Sequence, residues 1–135
     1  MKPFHFAVVL FAAVACLNLH AQTTYAYASI PFDFRMGDVL MPAGDYDFSQ
    51  SGPWLSAHEE GGRKNCILLT TPASRTAAPT KPELVFNRYG DRYFFTKIWT
   101  ENSPEGRAVP KTSREKELAG RVDHFHEAAI ALKQK

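Results

Sequence analysis

The stretch that most restricts the fold is residues 84–100, LVFNRYGDRYFFTKIWT. Two apolar runs flank Gly90-Asp91, a pair suited to a two-residue primed hairpin turn. That turn pairs Arg88 with Tyr93, Phe86 with Phe95 and Leu84 with Lys97. One face of the hairpin then carries Leu84, Phe86, Tyr93, Phe95 and Trp99, and the other Val85, Tyr89, Phe94 and Ile98. A sheet with one wet face has no use for both sets. A second sheet is expected on one side, and a helix, a loop or another subunit on the other.

Residues 23–70 carry the same signature in shorter pieces. Tyr25 to Ile30 reads as a strand, broken at Pro31 and resumed with period two over Phe32, Phe34 and Met36. Gly37-Asp38 and Pro42-Ala43-Gly44 are turn signals. Tyr46 and Phe48 alternate with polar residues, as do Trp54 to His58. Cys66-Ile67-Leu68-Leu69 is apolar on both faces, which suits a central, covered strand. Residues 71–82 hold three prolines and no large apolar group, and read as a long surface loop. Over residues 112–132, Leu118, Val122, Phe125, Ala129 and Leu132 recur at helical spacing. Thr112 and Glu115 fit a capping box at the start of that helix, and Gly120 weakens it or ends a shorter first piece. The expected fold is mainly β. It is an antiparallel sandwich or small barrel of about seven or eight strands, with one C-terminal amphipathic helix packed on it.

The N-terminus sets the domain boundaries. Lys2 precedes an uncharged apolar run over residues 6–17, and Leu19 and Ala21 sit at −3 and −1 of a cut after Ala21. That is the layout of a signal peptide, and the run is well short of the roughly 20 residues a spanning helix needs. The organisation expected is a signal peptide over 1–21, a β-domain over 22–110 and a helix over 111–135, exported to the periplasm or beyond, with no transmembrane helix. A loose lipobox ending at Cys16 is the rival reading. A cut after Ala21 leaves Cys66 as the one cysteine, so no internal disulfide is available and the core must suffice. Cys66 itself reads as a small buried hydrophobe, with an intermolecular disulfide as the alternative.

Three segments together carry a family resemblance. They are Ile30-Pro31-Phe32-Asp33-Phe34 running on to Pro42-Ala43-Gly44-Asp45-Tyr46, then Leu84 to Phe94, then Gly106-Arg107-Ala108-Val109-Pro110 leading into a charged segment. The chain resembles a group of small exported proteins common in acidobacterial genomes, with a pattern of the form PFxFxxGxxxxPAGxY followed by LVFxRYGDxYF. The resemblance implies export and a mostly-β fold, and it carries no activity or catalytic residue with it.

Little in the sequence points to catalysis. There is no Gly-rich phosphate loop and no G-x-S-x-G elbow. His124 and His126, two apart, diverge on a helix. His58-Glu59-Glu60 is a polar strand end before it is a metal cluster. Asp33, Asp45, Asp47 and Asp91 lie in or beside turns, where local hydrogen bonding favours them. No catalytic residue, metal or cofactor is assigned. A charge of +2 from 16 basic and 14 acidic residues weighs against a nucleic-acid partner, although Arg88, Tyr89, Arg92 and Tyr93 interleave base and ring. The leading expectation is a non-enzymatic exported β-domain that acts by protein interaction, with an envelope protein or with itself, or as a structural module. A carrier of a small apolar or sugar ligand is the alternative, with Phe86, Phe95 and Trp99 as its binding residues, though aromatics more often fill cores. A hydrolase using turn carboxylates comes last.

Overall fold

The computed structural model describes residues 24–62, 64–77, 81–101 and 103–134. The expected signal peptide, the cut after Ala21 and Cys16 lie outside them. Among the described residues the chain forms two packed sheets and one helix. The first sheet has the order β12-β1-β4-β5-β6, from Thr24–Ile30 (β1), Gly44–Ser51 (β4), Trp54–Glu59 (β5), Asn65–Leu69 (β6) and Lys133–Gln134 (β12). The second has the order β11-β8-β9-β10-β7, from Thr71–Ser74 (β7), Glu83–Tyr89 (β8), Arg92–Trp99 (β9), Glu105–Ala108 (β10) and His126–Ala131 (β11). A small hairpin of Phe34–Met36 (β2) and Val39–Met41 (β3) joins the second sheet through a parallel β2–β9 pair. Helix α1 spans Ser113–Arg121. The fold is a mainly β, sandwich-like architecture, not a closed barrel, with a single helix in its C-terminal part.

Period-two alternation builds the core. Ala26, Ala28 and Ile30 of β1, Tyr46 and Phe48 of β4, and Leu55 and Ala57 of β5 face Phe34, Met36, Leu84, Phe86, Phe95 and Ile98 of the other sheet. Rings meet across the gap, Tyr46 with Phe34 at 5.2 Å and Phe48 with Phe95 at 6.3 Å between centroids. Each fully buried side chain of this size stabilises the fold by about 1.5–3 kcal/mol, and the edge-to-face ring pairs add about 0.5–1.5 kcal/mol each. Pro31 falls in the break between β1 and β2, where the chain leaves the first sheet for the second.

The main hairpin follows its turn and then departs from it. Arg88 pairs with Tyr93 and Phe86 with Phe95, as the Gly90-Asp91 turn dictates. Beyond that an irregularity between Val85 and Phe86 shifts the register, so that Val85 faces Lys97 and Leu84 faces Ile98. Thr96 is the extra residue, and its hydroxyl donates to the Val85 carbonyl at 3.0 Å. The bulge exchanges the next two side chains. Ile98, not Trp99, joins Phe86 and Phe95 in the core, while Trp99 is buried outside it. One hairpin face is covered by the other sheet; on the opposite face Glu115 of α1 reaches Asn87 and Tyr89, and Phe125 lies against the Tyr89 ring.

Three further expectations are corrected. The helix ends at Arg121, with Val122 extended as its cap, and the residues beyond it form β11 and β12. The free edge of β8 offers His126–Ala131 a full ladder, and Ala128, Ile130 and Leu132 turn inward with period two, so pairing overrides the helical stripe. Second, Thr71–Ser74 is a strand and not loop. Pro72 is tolerated because β7 is an edge. Third, β6 is not central. It closes one side of the first sheet, with Cys66 inside and Ile67 and Leu69 outside.

Strands change sheets at both sides of the sandwich. At one side β6 bends into β7 through the buried Thr70, and at the other β11 bends into β12 through the buried Leu132. Thr70 is fixed by its N–H and hydroxyl, both donating to the Pro53 carbonyl, and by Arg107, which donates to its hydroxyl at 2.8 Å and its carbonyl at 2.7 Å. The Leu132 N–H donates to the Pro82 carbonyl. Such corners let one strand serve two sheets.

Candidate functional site

The residues expected to bind a ligand do not line a cup. Phe86 and Phe95 pack edge to face at 5.6 Å inside the core. Trp99 lies beyond the bulge, with the Arg75 guanidinium 4.2 Å above its ring and Gly106 closely packed against it. Arg75 is held there by an ion pair with Glu83. The indole N–H of Trp99 is buried with no partner among the described residues.

A different cleft opens where β6 bends into β7. It holds about 530 Å³ between Gln50 of the first sheet, Ser74 and Arg107 of the second, and Thr100 and Ser103 of the β9–β10 connection, over Ile98. A narrow apolar recess shares Gln50, Ile98 and Thr100 with it and runs back to Phe48 and Leu132. Hydroxyls, one amide, one guanidinium and the Glu105 carboxylate around an apolar floor can bind a polar small molecule.

Against the outer face of the hairpin lies the one buried charged side chain among the described residues. The Thr112 hydroxyl accepts the Glu115 N–H, the first half of the expected capping box. The second half is replaced. Glu115 turns inward, and its Oε1 accepts both the Tyr89 hydroxyl and the Asn87 amide at 3.1 Å. Burial, and then the Glu115 charge, push the Tyr89 phenol up to about 12. A comparable rise to about 12 holds for Tyr46, from burial first and then Glu59 and Asp33. Neither phenol offers an accessible base, and the Glu115 cluster reads as a helix anchor. Its signal in the sequence is ambiguous, because a Glu at the third helical position serves a cap or a tertiary contact equally well.

The remaining candidates fall apart or become structural. Cys66 is buried, its thiol donates to the Met36 carbonyl, and burial pushes it up, which is the environment of an inert packing residue. His58 bonds Asn65, while His124 and His126 are exposed on either side of Phe125. No group of three metal-ligating side chains converges among the described residues. Asp33 and Asp91 do line one pocket, but Asp33 is engaged as the acceptor of the Ala43 N–H at 2.8 Å.

The largest departure from an ordinary surface is apolar. Trp54, Ile67 and Leu69 are 51%, 67% and 57% exposed on the outer face of β5 and β6, although this face is built from two adjacent strands. Trp54 and Leu69 are cross-strand partners, and Ile67 follows two residues along. Five strands bound the sheets among the described residues. β7 carries Pro72, β12 is two residues long with Lys133, β3 is three residues long, and β11 begins with His126-Glu127. β6 alone presents five residues, NCILL, with no charge, proline or bulge.

No helix among the described residues is long and apolar enough to cross a membrane. Comparison with protein-family models, with curated proteins and with solved structures finds no match.

Proposed function

We propose that this protein is an exported, non-enzymatic β-domain that works by protein contact, and that its first partner is a second copy of itself seated on β6. One observation carries the reading: the unguarded edge of β6 beside the exposed Trp54, Ile67 and Leu69. An antiparallel strand is its own complement. Two β6 strands centred on Ile67 place Ile67 against its copy and Asn65 against Leu69, and join the two Trp54–Leu69 patches across a twofold axis. Export rests on the n-region, the apolar run and Leu19 and Ala21 at the cut, together with the resemblance to exported acidobacterial proteins.

The test is native mass spectrometry and sedimentation of protein from an exporting host, with Ile67→Lys as the variant. The wild type should be a dimer of chains beginning at Gln22, and Ile67→Lys a folded monomer. A wild type that stays monomeric at about 100 μM removes the self-contact reading. A chain beginning at a lipidated Cys16 removes the cut after Ala21. The carrier reading keeps one specific observation, the cleft around Arg107 and its apolar recess. Extra mass that leaves on denaturation, and is absent in Arg107→Gln, would move that reading ahead.

A further inference from the structure

The end of the molecule at the Gly90-Asp91 turn gathers charge from three distant parts of the chain. In β2, Phe34 and Met36 turn into the core, so Arg35 turns out, and Asp33 just before the strand is exposed. The parallel pairing of β2 with β9 sets Arg35 beside Phe94. Arg92 opens β9, and Arg114 lies in the first turn of α1. These three arginines surround a pocket of about 260 Å³ with Phe94 and the half-exposed Leu40 among its walls.

We infer that this pocket is a binding site for a small oxyanion, a phosphate or a carboxylate, gripped by the guanidiniums of Arg35, Arg92 and Arg114. A guanidinium presents paired N–H donors in the geometry a planar carboxylate or a phosphate accepts; three arginines line this pocket, and Arg35 spends one long donation, Nη1 to the Asp38 carbonyl at 3.4 Å. The protein's own carboxylates do not satisfy them. Asp33 and Asp91 line the same pocket, yet none of the three arginines forms an ion pair within 4.0 Å among the described residues. Asp33 is engaged instead by the Ala43 N–H. Arg114 also stands against the helix dipole, which disfavours a cation in the first turn. An anion between it and Arg35 offsets that placement. The interleaved Arg88, Tyr89, Arg92 and Tyr93 of the hairpin thereby divide. Arg92 faces the pocket, whereas Arg88 bonds the Gly90 carbonyl and lies over the Tyr93 ring. Tyr93 is in turn stacked on Phe32 at 3.7 Å, so its face is not open for a base.

The experiment is isothermal titration of the purified protein at constant ionic strength, with inorganic phosphate in one arm and acetate in the other. Saturable binding of either supports the site, and the arm that binds tighter names the anion. Arg35→Gln, Arg92→Gln and Arg114→Gln should each weaken it about tenfold or more, since a charge-assisted hydrogen bond is lost. Lys116→Gln, on the same helix but outside the pocket, should leave it unchanged. These side chains are not in the core, so unaltered thermal melts will accompany the loss. Absence of saturation by both probes at about 10 mM overturns the inference. So does equal binding by all three arginine variants and the Lys116 control.

Discussion

Replacing Glu115 separates two ways of holding a helix on a sheet. Helix α1 buries no apolar side chain. Leu118 and Ala119 are only half-buried, and Glu115 alone is fully enclosed. In Glu115→Ala, the Tyr89 hydroxyl and the Asn87 amide lose their common acceptor inside the protein. Each of the two buried donors left unmade costs about 1–3 kcal/mol, so the loss is about 2–6 kcal/mol. For a domain of this size that lowers Tm by roughly 10–20 °C. Glu115→Gln keeps an oxygen where Oε1 stands and should cost only about 1 kcal/mol. It also removes the charge that is the second cause of the Tyr89 shift, after burial. Tyr89 should then titrate below about 12 yet above the ordinary value of 10. Urea melts followed by tryptophan fluorescence give the stabilities. Ultraviolet absorbance of tyrosinate, with Tyr89→Phe subtracted, gives the titration. Equal losses in the Ala and Gln variants, or a loss under about 1 kcal/mol in Ala, would refute the idea that an acceptor at this position pins the helix.

Three other outcomes follow from the packing. Gly106→Ala would set a Cβ 2.5 Å from the Ile98 carbonyl oxygen and 2.6 Å from Trp99; a destabilisation of about 1–3 kcal/mol is expected, seen as a lower urea midpoint and a shifted tryptophan emission. Phe86→Ala should cost about 3–5 kcal/mol, because the ring is fully buried against Phe34 and Phe95, and a loss under 1 kcal/mol would argue for an open cavity there. Alkali should unfold the protein in a defined window: Tyr46 and Tyr89 are neutral in the fold with values raised from 10 to about 12. Their contribution is therefore whole below pH 10 and is lost as pH rises through about 12. Each is worth up to about 2–3 kcal/mol, and a urea midpoint unchanged across that range would contradict their burial.

What the sequence discloses here is what neighbouring residues decide. Gly90-Asp91 fixes its own turn, and Phe34-x-Met36 and Tyr46-x-Phe48 announce their inner face by alternation, so the hairpin and the mainly β fold are legible. Choices made between distant strands are not. Whether Thr96 bulges depends on what β8 and β10 offer β9, and that decision moved Trp99 out of the core. His126–Ala131 satisfies a helical spacing and a period-two spacing at once, and only the free edge of β8 selects the strand. Ile67 and Leu69 look like a covered strand because the sequence does not record which strand ends the sheet. The arginine pocket was half visible. Arg35 must point away from Phe34 and Met36, but nothing local says that Arg92 and Arg114 meet it.

Tyr27 of β1 pairs with Lys133 of β12, and β8 with His126–Ala131 of β11. The closing segment thus completes both sheets together. A chain synthesised N-terminus first holds two open edges until that segment arrives. Its decisive pairings span nearly the whole described length, which slows the search for the native arrangement. Until then the inner faces of Phe34, Phe48 and Phe86 have no lasting cover. Such a chain has to be kept apart from its copies until residues 126–134 have joined both sheets.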